Sequence, residues 1–196
     1  MARRTFFFSM LLMMVSGCLT QTSENQRDVV KKYFDLEGLV EDQISILDSL
    51  NPDIVKKAEI DDASEQKELG NIDWEKELKL FRNADLNKPK LLDLYEVKTS
   101  DVENQKKYTE YKNISEDPDG VVSLKIFGKR NTELPSRIEI DFIEKNTLYF
   151  SRRHMILYLE GDQDGQARIT RYTIQGIEKI LLGDSIRFAL DASIAY

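Results

Sequence analysis

Apolar side chains at every second position dominate the chain from Val122 to its last residue, and that period constrains the fold more than any other feature. Val122, Leu124 and Ile126 alternate with Ser123 and Lys125; Ile138, Ile140 and Phe142 alternate with Glu139 and Asp141. Ile186, Phe188, Leu190, Ala192, Ile194 and Tyr196 continue the rule most cleanly. A pleated strand sends successive side chains to opposite faces, so a period of two puts all the apolar groups on one side. Segments near Leu91–Val97, Tyr108–Ile114, Thr147–Glu160 and Arg168–Ile177 complete a set of about seven strands. Asp117-Pro118-Asp119-Gly120 and Asp162-Gln163-Asp164-Gly165 are turn sequences. Short connections and one-sided alternation predict an antiparallel sheet with one covered face.

The cover is predicted to come from upstream. Ser23 followed by Gln26 forms a capping-box pattern, and Val29, Val30, Tyr33, Phe34, Leu36, Val40, Ile44 and Leu47 follow at helical spacing as far as Asn51-Pro52. Ile54–Ile60 and Glu65–Leu69 flank the polar Asp61-Asp62-Ala63-Ser64 and read as a hairpin. A second helix is expected from the N-cap Asp73 to Ala84, with Trp74, Leu78 and Phe81 on one side and Asn87-Lys88-Pro89 ending it. The fold class is therefore α+β. The expected domain, residues 23–196, is a curved and largely meandering antiparallel sheet packed by two amphipathic helices, with a small hairpin on its N-terminal side. It is long enough to bury a substantial core.

The first eighteen residues follow a different logic. Arg3 and Arg4 supply positive charge, Phe6 to Val15 is apolar apart from Ser9, and Ser16-Gly17 is small. That order is a secretory signal, and the apolar run falls short of the ~20 residues a spanning helix needs. Val15-Ser16-Gly17-Cys18 matches the lipobox at all four positions, so the N-terminal segment resembles that of bacterial lipoproteins. The resemblance implies that residues 1–17 are removed as a signal peptide. It also implies that the Cys18 thiol carries a diacylglycerol, and that the new α-amine is acylated. Cys18 is the chain's one cysteine, and an exported protein has little other use for a lone thiol. Several acyl chains at about 0.8 kcal/mol per methylene make such attachment effectively permanent. Residues 18–22 would form a tether of at most ~20 Å. Leu19 stands where enterobacterial lipoproteins retained in the inner membrane carry Asp, and no acidic surface-export cluster follows Cys18. The implied address is the outer membrane, facing the periplasm.

Removal of residues 1–17 leaves 179 of the 196 residues, and the 28 basic side chains less Arg3 and Arg4 become 26 against 35 acidic ones, a formal charge of −9. Such acidity argues against a nucleic-acid partner. The partners expected are the membrane, through the lipid, and an envelope protein. No cofactor is expected. His154 is the sole histidine, acylation consumes Cys18, and neither Asp-rich turn carries the third ligand and distal Glu of an EF-hand, so no metal or catalytic residue is assigned. No Gly-x-Ser-x-Gly elbow is present to serve a Ser-His-Asp triad.

The most unusual internal run is Arg152-Arg153-His154. Alternation puts Arg152 and His154 on one face and Arg153 on the other, and the next strand brings Arg168 and Arg171. Arg152, His154, Arg168 and Arg171 form a candidate patch for an anionic ligand such as a phosphate headgroup or a glycan carboxylate. The plainer account is cross-strand pairing with Glu and Asp on the open face. Asp48-Ser49-Leu50 and Asp184-Ser185-Ile186 are similar to the O-glycosylation sequon of exported Bacteroidota proteins, and Asn113-Ile114-Ser115 fits the N-glycosylation pattern.

Ile72-Asp73-Trp74-Glu75-Lys76-Glu77-Leu78 and the strands after it resemble small uncharacterised lipoproteins of Bacteroidota, a likeness that implies no activity. The leading functional reading is a non-enzymatic, lipid-anchored envelope lipoprotein that presents its open face or edge to a partner. A second is a carrier of lipid or another hydrophobic ligand in a cavity lined by Phe142, Leu157 and Phe188. It shares with the outer-membrane acceptor of lipoproteins only the architecture of an anchor, a sheet and helices. A third is a hydrolase using carboxylates that no motif marks.

Overall fold

A computed structural model describes residues 31–102, 106–129, 135–161 and 166–196. Its first helix, α1 (Leu36–Leu50), starts later than the capping box predicts. Ser23 to Val30 lie outside the described residues, and Lys31–Asp35 is not helical. Asp35 is the N-cap, its carboxylate accepting from Gly38 N at 2.9 Å. The Asp85 carboxylate reaches in from elsewhere to accept from Leu36 N at 3.0 Å and Glu37 N at 3.2 Å. Three donors that a helix start leaves unpaired are thus satisfied, which explains why the helix begins here. The expected stripe of Leu36, Val40, Ile44 and Leu47 is buried. Asn51 closes the helix in a left-handed conformation, its N–H bonded to Leu47 O, and Pro52 follows.

The hairpin is present as β1 (Asp53–Ile60) and β2 (Ala63–Leu69), turning at Asp61-Asp62. The expected second helix is two single turns, α2 (Trp74–Glu77) and α3 (Lys79–Arg82), which meet at Leu78. Asp73 caps α2 as expected, accepting from Lys76 N at 3.1 Å. Trp74, Leu78 and Phe81 are all buried. Pro89–Leu91 forms a 3-10 turn where the next strand was expected to start, and Asp93 takes a left-handed conformation. That strand, β3 (Tyr95–Val102), begins beyond both. There follow β4 (Lys106–Asn113), β5 (Gly120–Lys129), β6 (Pro135–Lys145), β7 (Tyr149–Gly161), β8 (Ala167–Ile180) and β9 (Ser185–Ala195).

One open antiparallel sheet contains all nine strands, in the order β2-β1-β9-β8-β7-β6-β5-β4-β3. The count exceeds the expected seven because the hairpin is not a separate element. Its first strand pairs with β9, Ile54 opposite Ile194 and Ile60 opposite Phe188. From β3 to β9 the path is a meander, as the short connections predict. The edge strand β2 is exposed along its whole length and carries Glu65, Lys67 and Glu68, charges that discourage pairing with another chain.

Register sorts the side chains. On the covered face Leu124, Ile140, Met155, Ile174 and Leu190 form one row, and Ile126, Ile138, Leu157, Tyr172, Ala192 and Lys56 the next. The helices close over these rows through Phe81, edge-on to Tyr172 at 5.7 Å, and through Glu77, which accepts from the Tyr172 hydroxyl and pairs with Lys56 at 2.5 Å. Gln43 of α1 is buried and bonds both ways to β8, donating to Ala167 O at 2.7 Å and accepting from Ile169 N at 2.8 Å. That contact meets β8 where its register with β7 shifts between Tyr158 and Leu159.

Candidate functional site

The uncovered face carries the charges. Arg152, Ile177 and Arg187 lie side by side across β7, β8 and β9, and His154, Gln175 and Ala189 form the adjoining row. Together with Glu59 and Asp61 they line a groove of about 470 Å³. His154 Nδ1 and Asp141 Oδ1 are 2.9 Å apart, a direct cross-strand pair. Arg152 and Arg187 are exposed, and among the described residues neither has an ion-pair partner. The Asp61 carboxylate is occupied by the backbone N–H of Arg187 at 3.0 Å, and Glu59 is paired with Lys57 at 2.6 Å. The groove therefore offers two uncommitted guanidinium groups beside an imidazole, a set that can bind a planar or tetrahedral anion.

Only half of the expected patch gathers here. Arg152 and His154 share the groove, with Arg153 on the other face as alternation requires. There Arg153 meets Glu144 at 3.2 Å and Glu178 at 3.4 Å. Arg171 is two rows away on the open face, bonded through Nε to Asp191 Oδ1 at 2.8 Å and through Nη2 to Asp191 Oδ2, with its guanidinium 5.4 Å from the Tyr158 ring centroid. Asp191 holds the Arg171 guanidinium above its already high pKa. This is the cross-strand pairing that competes with ligand binding. Arg168 sits past the register shift, near Tyr196, at the opposite end of β8. Arg187 is the residue that sequence reasoning left out. Alternation along β9 already placed it opposite Phe188's face, but only the β8–β9 register puts it level with Arg152.

The other marked residues are placed as follows. Cys18 and the Asp162–Gly165 turn lie outside the described residues. Asp117 and Asp119 serve the β4–β5 connection, Asp119 accepting from Lys145 N at 3.2 Å and Asp117 pairing with the Lys145 ammonium. Among the described residues no three His, Cys, Asp or Glu side chains are placed to share a metal ion. Leu157 is fully buried in the continuous core, and Phe142 and Phe188 pack against it. Ser49 in the last turn of α1 and Ser185 at the start of β9 are exposed, whereas Asn113 is engaged, accepting from Ser115 N and donating to Val121 O. No described helix is long and apolar enough to cross a membrane.

Comparison with protein-family models, curated proteins and solved structures returns no match to this chain.

Proposed function

We propose that this chain is a lipid-anchored lipoprotein of a bacterial envelope, held by acyl groups on Cys18 at the periplasmic face of the outer membrane. In this reading it works by binding, and it catalyses nothing itself. The observation that carries the reading is the order of charge, apolar run and Val15-Ser16-Gly17-Cys18 at the start of the chain. The binding element we assign is the groove of Arg152, His154 and Arg187, directed at an anionic group. Register shifts at Val121/Ser123, Phe127/Gly128 and Tyr158/Leu159 favour a sheet curved around its helices, because each such irregularity bends and twists a strand.

Labelled palmitate tests the anchor. The chain is expected to incorporate it and to fractionate with membranes, and Cys18→Ser is expected to abolish both. A serine variant that fractionates unchanged would overturn the reading. The groove is tested with inorganic phosphate in an NMR titration. Shifts at Arg152, His154 and Gln175 are expected in the parent chain and are expected to vanish in Arg152→Ala/Arg187→Ala.

A further inference from the structure

We infer that one end of the sheet is a membrane-docking edge, whose apolar hairpin tips insert into the lipid surface of the bilayer that holds Cys18. For the presence of a bilayer the inference rests on the anchoring proposed above. Its other support is the distribution of exposed apolar side chains.

In this meander the β4–β5, β6–β7 and β8–β9 connections all fall at one end of the sheet. The β1–β2 turn joins them, because Asp61 N bonds to Arg187 O at 2.9 Å. At this end Leu148 is 62 % exposed, Ile180 57 %, Leu181 61 % and Leu182 96 %, with Ile60 at 57 % and Ile186 at 43 % beside them. Single exposed leucines are ordinary, but turns normally carry polar residues, and here Ile180-Leu181-Leu182 forms one. The two tips are fastened together by Leu181 N, which donates to Leu148 O at 2.9 Å, and the β8–β9 turn is closed by Gly183 N donating to Ile180 O at 3.0 Å. The leucines are thus displayed on a bonded scaffold, as a compact apolar prow.

The charges behind the prow suit a headgroup layer. Lys179, Arg152 and Arg187 stand one to two rows inward on the open face, and none has an ion-pair partner among the described residues. Acidic groups are present too. Asp184 and Asp62 lie in the loops, while Glu178, Glu144 and Asp117 are paired with Arg153, Arg153 and Lys145. Apolar side chains outermost, with cations at the depth of phosphates, is the arrangement of interfacial membrane contacts.

The first described residues of the chain bond beside the start of β3. Tyr33 accepts from Asp93 N at 3.0 Å and Lys32 pairs with Asp93, just before β3, whose first residue Tyr95 pairs with Asn113 beside the β4–β5 connection. Residues 19–30 separate Cys18 from this point, a reach of at most ~40 Å. A tether of that length lets the leucine end reach the bilayer.

The test uses the full chain, lipidated and reconstituted in vesicles of phosphatidylethanolamine with a minor share of phosphatidylglycerol. With the Cys18 thiol acylated, Leu182→Cys provides a single free thiol for an environment-sensitive fluorophore, and Leu50→Cys at the other end of the sheet is the control. At position 182 the emission is expected to shift to the blue and to lose most of its intensity to lipid-borne nitroxide, while position 50 keeps its intensity. Flotation of the same vesicles reads the anchor separately. Protein that floats with position 182 still water-exposed would overturn docking and leave anchoring intact. A blue shift without nitroxide quenching would mean that protein covers the tip, and would also overturn it. Protein that fails to float would overturn both readings.

Discussion

The ring of Phe188 lies over Gly176 across the β8–β9 pair, so closely that a Cβ at Gly176 would come within 2.8 Å of ring carbon Cζ. It would also come within 2.4 Å of the Arg152 carbonyl oxygen, a backbone atom that cannot swing aside. The glycine thus lets β7 and β9 close around the part of β8 that floors the groove. Gly176→Ala is expected to destabilise the fold by about 1–3 kcal/mol, the usual range for overpacking. A lowered urea midpoint with unchanged slope would show it. Adding Phe188→Ala should not restore stability, because the carbonyl contact persists. Recovery in the double variant would mean that the ring alone sets the constraint.

Asp85 is 2 % exposed and forms no direct ion pair among the described residues, yet its carboxylate is well supplied with donors. Besides the two α1 amides it accepts from Asn87 N at 2.7 Å, and Asn87 in turn accepts from Tyr33 N at 2.9 Å. The positive end of a 15-residue helix adds to the stabilisation of the negative charge. Asp85→Asn replaces an acceptor with an N–H₂ aimed at other N–H groups, and should cost about 2–3 kcal/mol. Hydrogen exchange at Leu36 and Glu37 should accelerate with it. Unchanged exchange there would show that Asp35 alone caps α1.

Gln43 performs a related task midway along the buried stripe of α1. Its amide supplies one donor and one acceptor to β8 inside the core, where water does not reach. Gln43→Met keeps the size and removes both bonds, leaving Ala167 O and Ile169 N unpaired. The expected loss is about 2 kcal/mol or more, visible as a lower melting temperature. Gln43→Glu should be worse still, since it buries a charge and forfeits the donor to Ala167.

These residues show where reading from sequence succeeds and stops. Strand periods of two were legible because one face is buried and the other is not, so Leu124, Ile138 and Ile140 declared their side directly. The buried stripe of α1 was legible for the same reason at helical spacing. Its start was not, because Asp85 caps it from 49 residues away. Sheet membership of the hairpin depended on pairing Ile54 with Ile194, which no local pattern encodes. In the groove, face assignment followed from alternation, whereas the level of Arg187 against Arg152 followed from register alone. Gly176 did leave a trace, as a lone glycine inside an alternating run, the usual sign of close approach.

Tyr196 gives a pH signature. Its hydroxyl donates to Ile169 O at 2.7 Å, and burial pushes its pKa up to about 12, with Arg168 pulling the other way. The residue as a whole is 53 % exposed, so the energetic effect is smaller than that shift alone would suggest. The direction is nevertheless definite. In the unfolded chain a tyrosine loses its proton near pH 10, whereas folded Tyr196 keeps it until about 12. The unfolded state therefore binds fewer protons in that window, and stability must fall as pH rises through it. The contribution is whole below pH 10 and lost by about pH 12. Tyr196→Phe should flatten that decline, and the tyrosinate absorbance missing from the variant should belong to a late-titrating group. Absorbance lost near pH 10 instead would show that the Ile169 bond does not hold in solution.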